Sequence, residues 1–246
     1  MTAATTTTAG SVPLPRGRHP VVRVARLQYV GWQYALPWPW GILALSFAAN
    51  LVIFGTVSAA RDAWTGGLSS IYFVQFLAYL QTFRRGFPFA LGMSVTRRAY
   101  YLGVWLCATV EALASGAVLL TLRLVEDATG GWGVSLEFFG LGFDRGDSLV
   151  LLYLCYVVPF LLGAAIGACL GLVLHRWSYN GLLSVVAGLI VLGGAAVVVV
   201  GRAGWWREIG DWFAAQSAAA LFAGWPLPFV AVLALLGYAV IRRATP

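Results

Sequence analysis

Long apolar stretches alternate with short polar ones along most of the chain. Six stretches have about the 20 mostly apolar residues that a helix needs to cross the roughly 30 Å hydrocarbon layer of a membrane. They cover residues 41–59, 67–83, 101–122, 149–174, 181–201 and 224–241. The stretch 181–201 is apolar on every side, whereas a β-barrel strand alternates apolar and polar residues. The pattern predicts an all-α integral membrane protein with six transmembrane helices, within a domain of residues 37–243.

Three further segments have patterns of their own. Residues 1–20 are rich in Thr and Pro and predict a disordered cytoplasmic tail. Between 21 and 36 apolar residues recur on one helical face, which predicts an amphipathic connecting helix on the inner membrane surface. Residues 204–222 carry Trp, Ile and Phe at helical spacing, which predicts an outer interfacial or re-entrant helix before the sixth transmembrane helix.

Composition and charge add an orientation. The chain is 60% hydrophobic and 10% charged, and all 16 of its basic residues are arginine. With a cytoplasmic amino terminus, eleven arginines and no acidic residue fall in the inner segments, against five arginines in the outer ones. The positive-inside rule therefore predicts a multi-pass protein of a bacterial-type cell membrane with both termini in the cytoplasm. Anionic membrane lipid accounts for the net charge of +7, which is no argument for nucleic acid.

The loop between the second and third spans reads RRGFPFALGMSVTRRAYYLG from residue 84 to residue 103. Pro88 suits a first helical position, and residues 88–98 predict a helix of three turns, about 17 Å long. So many apolar residues have to be covered by lipid or protein, so the loop is either a docking element for a cytoplasmic partner or a plain amphipathic connector. The candidate docking residues are Arg84, Arg85, Phe87, Pro88, Phe89, Leu91, Met93, Thr96, Arg97 and Arg98.

Few other residues suggest chemistry. Glu111 is the one acidic residue within a span, where it costs about 2.5–3.5 kcal/mol and should face protein or a water-filled path. It is either a residue of a substrate path or a structural residue bonded to Thr109 or a neighbouring helix. The His and Cys spacings predict no metal site. Small residues four apart suit close helix packing, within the chain or with a second copy. They are Gly163, Gly167 and Gly171.

The order of these features resembles the membrane subunit of an ABC exporter of the type-two permease family. The segment from Phe87 to Arg98 is similar to the coupling helix of small bacterial permeases, with an apolar start, Ala-Leu, a Gly, and then Ser/Thr-Arg-Arg. The resemblance implies a coupling helix that docks in a groove of a cytoplasmic ABC ATPase subunit. It also implies a second permease subunit, identical or related, and an outward direction of transport.

Energy for such transport has to come from the partner. A P-loop uses a lysine to reach the β and γ phosphates of ATP, and this sequence contains no lysine. We therefore expect a transport subunit that is not an enzyme and holds no cofactor, with ATP and Mg bound by the partner ATPase. Compatible substrates include a hydrophobic drug, a peptide antibiotic, a lipid-linked molecule and a polysaccharide.

Two alternatives belong to other functional classes. A proton-coupled secondary transporter would use Glu111 as its proton site, although such folds usually have inverted repeats or broken helices. A non-transporting membrane immunity or assembly protein would leave the loop at 84–98 without a stable partner.

Overall fold

The computed structural model of the protein describes residues 21, 24–25, 37–56, 65–141, 148–217 and 219–243. From residue 37 onwards the described part folds into seven α-helices and no strand. The helices are α1 Pro37–Thr56, α2 Ser69–Gln81, α3 Phe87–Gly92, α4 Arg97–Ala128, α5 Leu149–Ala203, α6 Trp206–Ala215 and α7 Pro226–Arg243. Five-residue π-type turns occur at Thr82–Gly86, Gly131–Ser135 and Ala220–Gly224.

Four helical segments are long and apolar enough to cross a membrane. They are Pro37–Thr56, Arg97–Ala128, Leu149–Ala203 and Ala220–Arg242. These segments indicate a membrane protein, and the all-α prediction is confirmed for the described residues. The first of them, α1, is exposed along most of its length although its residues are largely apolar, as expected of a helix that faces lipid.

The second predicted span differs from the structure. The α-helical part, α2, has 13 residues, fewer than the roughly 20 needed to cross a membrane. Helical structure continues through the π-type turn Thr82–Gly86 into α3, so the segment does not end at residue 83. The prediction of three helical turns over residues 88–98 was wrong, because α3 ends at Gly92 and Ser94 has a positive φ of 60°.

The third, fourth and fifth predicted spans are longer in the structure. Helix α4 has 32 residues, roughly 48 Å at 1.5 Å per residue, and extends beyond the predicted 101–122 at both ends. The stretches 149–174 and 181–201 both lie in the 55-residue helical run of α5. That run is interrupted at Ser178, where φ is 54° and ψ is −153°.

The two parts of α5 on either side of Ser178 pack differently. The first part contacts α2 through its small residues: a Cβ added to Gly167 would lie 2.7 Å from the carbonyl oxygen of Phe76, and one added to Gly171 would lie 2.7 Å from that of Leu80. Gly163 faces the same helix at ordinary contact distance. The glycine face therefore serves packing within the chain. After residue 182, almost every residue of α5 is exposed.

The bundle has two different ends, which α4 connects. We call the end where α4 begins the arginine end, since Arg84, Arg85, Arg97 and Arg98 lie there. The other end, where α4 finishes, is the capped end, because residues 130–141 fold back over the helices. One buried core lies towards each end, around Phe83 and Phe87 at the arginine end and around Phe138 and Tyr156 at the capped end.

A buried carboxylate holds the cap in place. Glu126, near the end of α4, is 1% exposed and accepts hydrogen bonds from the backbone N–H groups of residues 138–140 at 2.9 to 3.2 Å. The indole of Trp132 donates to the same carboxylate at 3.1 Å, and Arg123 forms an ion pair with it at 3.0 Å. The hydroxyl of Tyr156 donates to the carbonyl of Phe139 at 2.6 Å, which fixes the cap to α5.

The segment before α7 forms a short helix and a turn. Helix α6 is an exposed ten-residue helix, and Ala220–Gly224 is a π-type turn. The ring of Trp212 lies 5.4 Å from that of Trp225, whose Nε1–H donates to Gln216 at 3.2 Å. Helix α6 is thereby held against the start of α7. Its interfacial or re-entrant placement stays a prediction.

The amino-terminal predictions lie mostly outside the described residues. The tail at 1–20 is entirely outside, as is most of the connecting helix at 21–36. Val21, Val24 and Ala25 are helical, and Val24 is 3% exposed. Its side chain lies directly over Gly103 of α4. The described face of this segment therefore packs on protein.

Candidate functional site

The candidate docking element covers Thr82 to Arg98 at the arginine end. The start of this element is fixed by Tyr100 of α4, whose hydroxyl donates to the carbonyl of Thr82 at 2.8 Å. The end of the element is fixed by Thr96, the N-cap of α4. Thr96 has an extended backbone, and its side chain accepts a hydrogen bond from the N–H of Ala99 at 3.3 Å. A short helix with both ends held in this way is a defined surface feature.

The inner face of α3 is anchored in the core. Phe87 is fully buried, and its ring lies 5.5 Å from that of Tyr100 and 5.4 Å, edge to face, from that of His175. One turn later Ala90 is buried too, and Leu91 packs against the same core. A force on α3 would therefore act directly on α4 and α5.

The outer face of α3 is apolar and uncovered. Phe89 is 69% exposed and Met93 is 49% exposed, and Pro88 beside them is exposed as well. Aromatic and Met side chains are enriched where proteins bind one another, and an exposed pair on a helix and its C-cap suits a hydrophobic groove. The structure thus divides the predicted docking residues into anchors and outward-facing residues.

The arginines of the element surround this apolar face. Arg84 donates to the hydroxyl of Tyr179 at 2.7 Å, and its guanidinium lies 5.1 Å from the centre of that ring. Arg85 and Arg98 are exposed, whereas Arg97 is half-buried. Within the part of the chain that the structure describes, no acidic side chain forms an ion pair with any of these four.

Glu111 lies away from the docking element, between α4 and α2. It is 7% exposed and accepts a hydrogen bond of 2.6 Å from the hydroxyl of Tyr79. Gln75, one turn before Tyr79 on α2, is buried as well. Thr109 donates instead to the carbonyl of Trp105. Of the two roles considered for Glu111, these contacts favour the structural bond to a neighbouring helix.

Sequence reasoning missed three residues of this site. Tyr100 fixes the start of the element, the ring of His175 contacts that of Phe87, and the hydroxyl of Tyr179 accepts a hydrogen bond from Arg84. His175 and Tyr179 lie on either side of the interruption at Ser178 in α5. Tyr179 follows Arg84 by 95 residues. The only signal in the sequence was the polar and aromatic run His175–Asn180 between two apolar stretches.

No metal-binding group emerges from the described ranges, where no three His, Cys, Asp or Glu side chains come together. Comparison of the chain with protein-family models, with curated proteins and with solved structures gives no match. The features of the molecule that bear on function are the anchored helix, its exposed face and the arginines beside it.

Proposed function

We propose that this chain is the permease subunit of an ATP-binding cassette exporter, coupled to a separate cytoplasmic ATPase subunit. The observation that carries the proposal is α3, a short helix with Phe87 fully buried and Phe89 and Met93 exposed at the arginine end. Lipid contact alone does not require a helix held at both ends and anchored by a buried ring. A hydrophobic groove in a partner protein would cover the exposed pair.

Under this proposal the chain crosses the membrane six times. They are α1, the segment from Ser69 to Gly86, α4, the two parts of α5 on either side of Ser178, and α7. With the arginine end in the cytoplasm, the positive-inside rule is satisfied by Arg84, Arg85, Arg97 and Arg98. The chain then belongs to the cell membrane and exposes its cap on the outside.

The energy source lies in the partner. The sequence contains no lysine with which a P-loop could reach phosphates, so ATP and Mg would be bound by the ATPase subunit. A second permease subunit, identical or related, would form the other half of the translocation path. Substrate would cross between the two subunits, and neither would hydrolyse ATP.

The contacts of the element suggest how a movement of the partner reaches the helices. Phe87 touches His175, and Arg84 binds Tyr179, so the element contacts α5 before and after Ser178. A φ of 54° with a ψ of −153° is unfavourable for a residue that has a Cβ. An interruption of this kind is a natural place for α5 to bend when α3 is displaced.

Copurification from the native host tests the proposal. The full-length chain is extracted in mild detergent without ATP, as wild type and as Phe89→Ser, and bound proteins are assayed for ATPase activity and identified by mass spectrometry. We expect an ABC ATPase with wild type and at least a tenfold loss with the variant, since a buried aromatic anchor contributes about 2 kcal/mol or more to an interface.

Trp206→Ser is the matched control, because Trp206 is a 55% exposed aromatic residue on α6. It should retain the ATPase. Equal loss in both variants, or no ABC ATPase with wild type, would refute the docking role of α3. Membrane sidedness is tested separately by labelling Ser94→Cys and Gly130→Cys in intact cells, where only the second should react.

A further inference from the structure

A half-open apolar cavity lies in the side of the bundle, close to the capped end. Its volume is about 390 Å³, within the roughly 300–1,000 Å³ range of small-molecule sites. The start of α2, the first part of α5, the cap and the segment before α7 all contribute to its wall. This cavity is far from α3, so it would exist whether or not an ATPase binds at the arginine end.

The wall is almost entirely hydrocarbon. Along α5 it runs from Cys155 through Pro159 to Leu162, about two turns or roughly 10 Å. Opposite it lie Tyr72 and Phe222. Among the described residues that line the cavity none is charged, so none of them would compensate a charged ligand group for its lost hydration.

Within the described part of the wall, one buried polar atom has no hydrogen-bond partner. The hydroxyl oxygen of Thr65 is buried, and among the described residues no group forms a hydrogen bond with it. Thr65 stands just before α2 and lines the cavity. Because this oxygen is buried, it would reach an acceptor in the cavity only after the Thr65 side chain rotates towards it. Native proteins pair most buried hydroxyls, which favours that rotation when an acceptor is present.

We infer that this cavity binds the hydrocarbon part of an uncharged or headgroup-bearing amphiphile, with Thr65 donating a hydrogen bond to an acceptor such as an ester carbonyl. Two sources share this chemistry, a membrane phospholipid and a diffusible long-chain molecule. Either would fill apolar space that otherwise leaves the wall atoms without contacts.

Photolabelling of the purified full-length chain in phosphatidylcholine nanodiscs tests the inference. One arm carries a phosphatidylcholine with a diazirine in its acyl chain, and the other adds a long-chain diazirine alcohol; labelled peptides are mapped by mass spectrometry. We expect labels on the wall around Cys155, Leu162 and Phe222. Leu162→Trp fills the cavity and should reduce wall labelling about fivefold or more.

Leu154→Trp is the matched control, because Leu154 lies on the same helix, is 38% exposed and does not line the cavity. It should leave wall labelling unchanged. Thr65→Val keeps the shape of the side chain and removes its hydroxyl donor. It should therefore reduce wall labelling by the phosphatidylcholine probe, whose ester carbonyl is the acceptor, by about twofold to tenfold.

The two arms distinguish the sources. Wall labelling from the nanodisc phospholipid identifies a lipid site, whereas wall labelling from the alcohol alone identifies a site for diffusible molecules. Labels spread over the exposed faces of α1 and α5, with no response to Leu162→Trp, would overturn the inference. Leu221→Trp provides a second filling variant if Leu162→Trp fails to elute as a single folded species.

Discussion

The two ends of the bundle differ in how their charged side chains are paired. At the capped end the carboxylate of Glu126 is buried, and it is bound by Arg123, by an indole and by three backbone N–H groups. At the arginine end four arginines surround an exposed apolar helix, and Arg84 has a tyrosine as its partner. At the capped end this buried carboxylate is bound within the chain, while the arginine end offers cations and apolar surface outwards. A closed end suits a structural cap, and an open end suits a binding surface.

The largest effect is expected from Glu126→Ala. The substitution removes the acceptor of three buried N–H groups and one of the ion-pair partners of Arg123, so the free energy of unfolding should fall by about 5 kcal/mol or more. Thermal unfolding of the detergent-solubilised chain measures it. Asp127→Asn is the control: Asp127 also pairs with Arg123 but its side chain is 55% exposed, so the loss should stay below about 1 kcal/mol. Equal losses of stability in the two variants would mean that the carboxylate of Glu126 does not hold the cap.

At the arginine end we expect a smaller loss from Phe87→Ala. Phe87 is fully buried between Tyr100 and His175, and removing such a ring typically costs about 3–5 kcal/mol. Phe89→Ala on the same helix should change stability by less than about 0.5 kcal/mol, because its ring is 69% exposed. Both are measured by the same unfolding assay. If Phe89→Ala proved as destabilising as Phe87→Ala, the division of α3 into an anchored and an open face would be wrong.

Between the two ends, Tyr79→Phe probes the role of Glu111. Losing the 2.6 Å hydrogen bond leaves a buried carboxyl without this donor, and the free energy of unfolding should fall by about 1–3 kcal/mol. A structural role predicts that stability falls while proton flux in liposomes stays at background for wild type and variant. Proton flux in wild type that Tyr79→Phe alters would support the secondary-transporter alternative instead.

The smallest effect is expected from Tyr179→Phe. The substitution removes the hydroxyl that accepts from Arg84 but keeps the ring beneath the guanidinium. Because Tyr179 is 61% exposed, stability should change by about 1 kcal/mol or less. If the chain forms the proposed complex with an ATPase subunit, the ratio of ATPase activity to transport in that complex tests whether this contact carries movement to α5. An unchanged ratio would argue against that role.

Sequence reasoning found most of the helical segments and none of the contacts between them. It predicted a helix between the arginine pairs, and the structure has α3 there; the docking role of that helix stays a prediction. It overestimated the helix there, since Gly92 and the positive φ of Ser94 end it early. It proposed two roles for Gly163, Gly167 and Gly171, and the packing against α2 decided between them.

By itself the sequence determined the helical membrane class, because only long apolar runs satisfy both the hydrocarbon layer and the backbone hydrogen bonds. It also determined which segments carry arginine and which carry acids. Tertiary structure alone decided which face of α3 is buried, that Glu111 meets Tyr79, and that Glu126 binds the cap. These contacts join residues that are distant in sequence, and their hydrogen bonds depend on distances of a few ångströms that no pattern along the chain encodes.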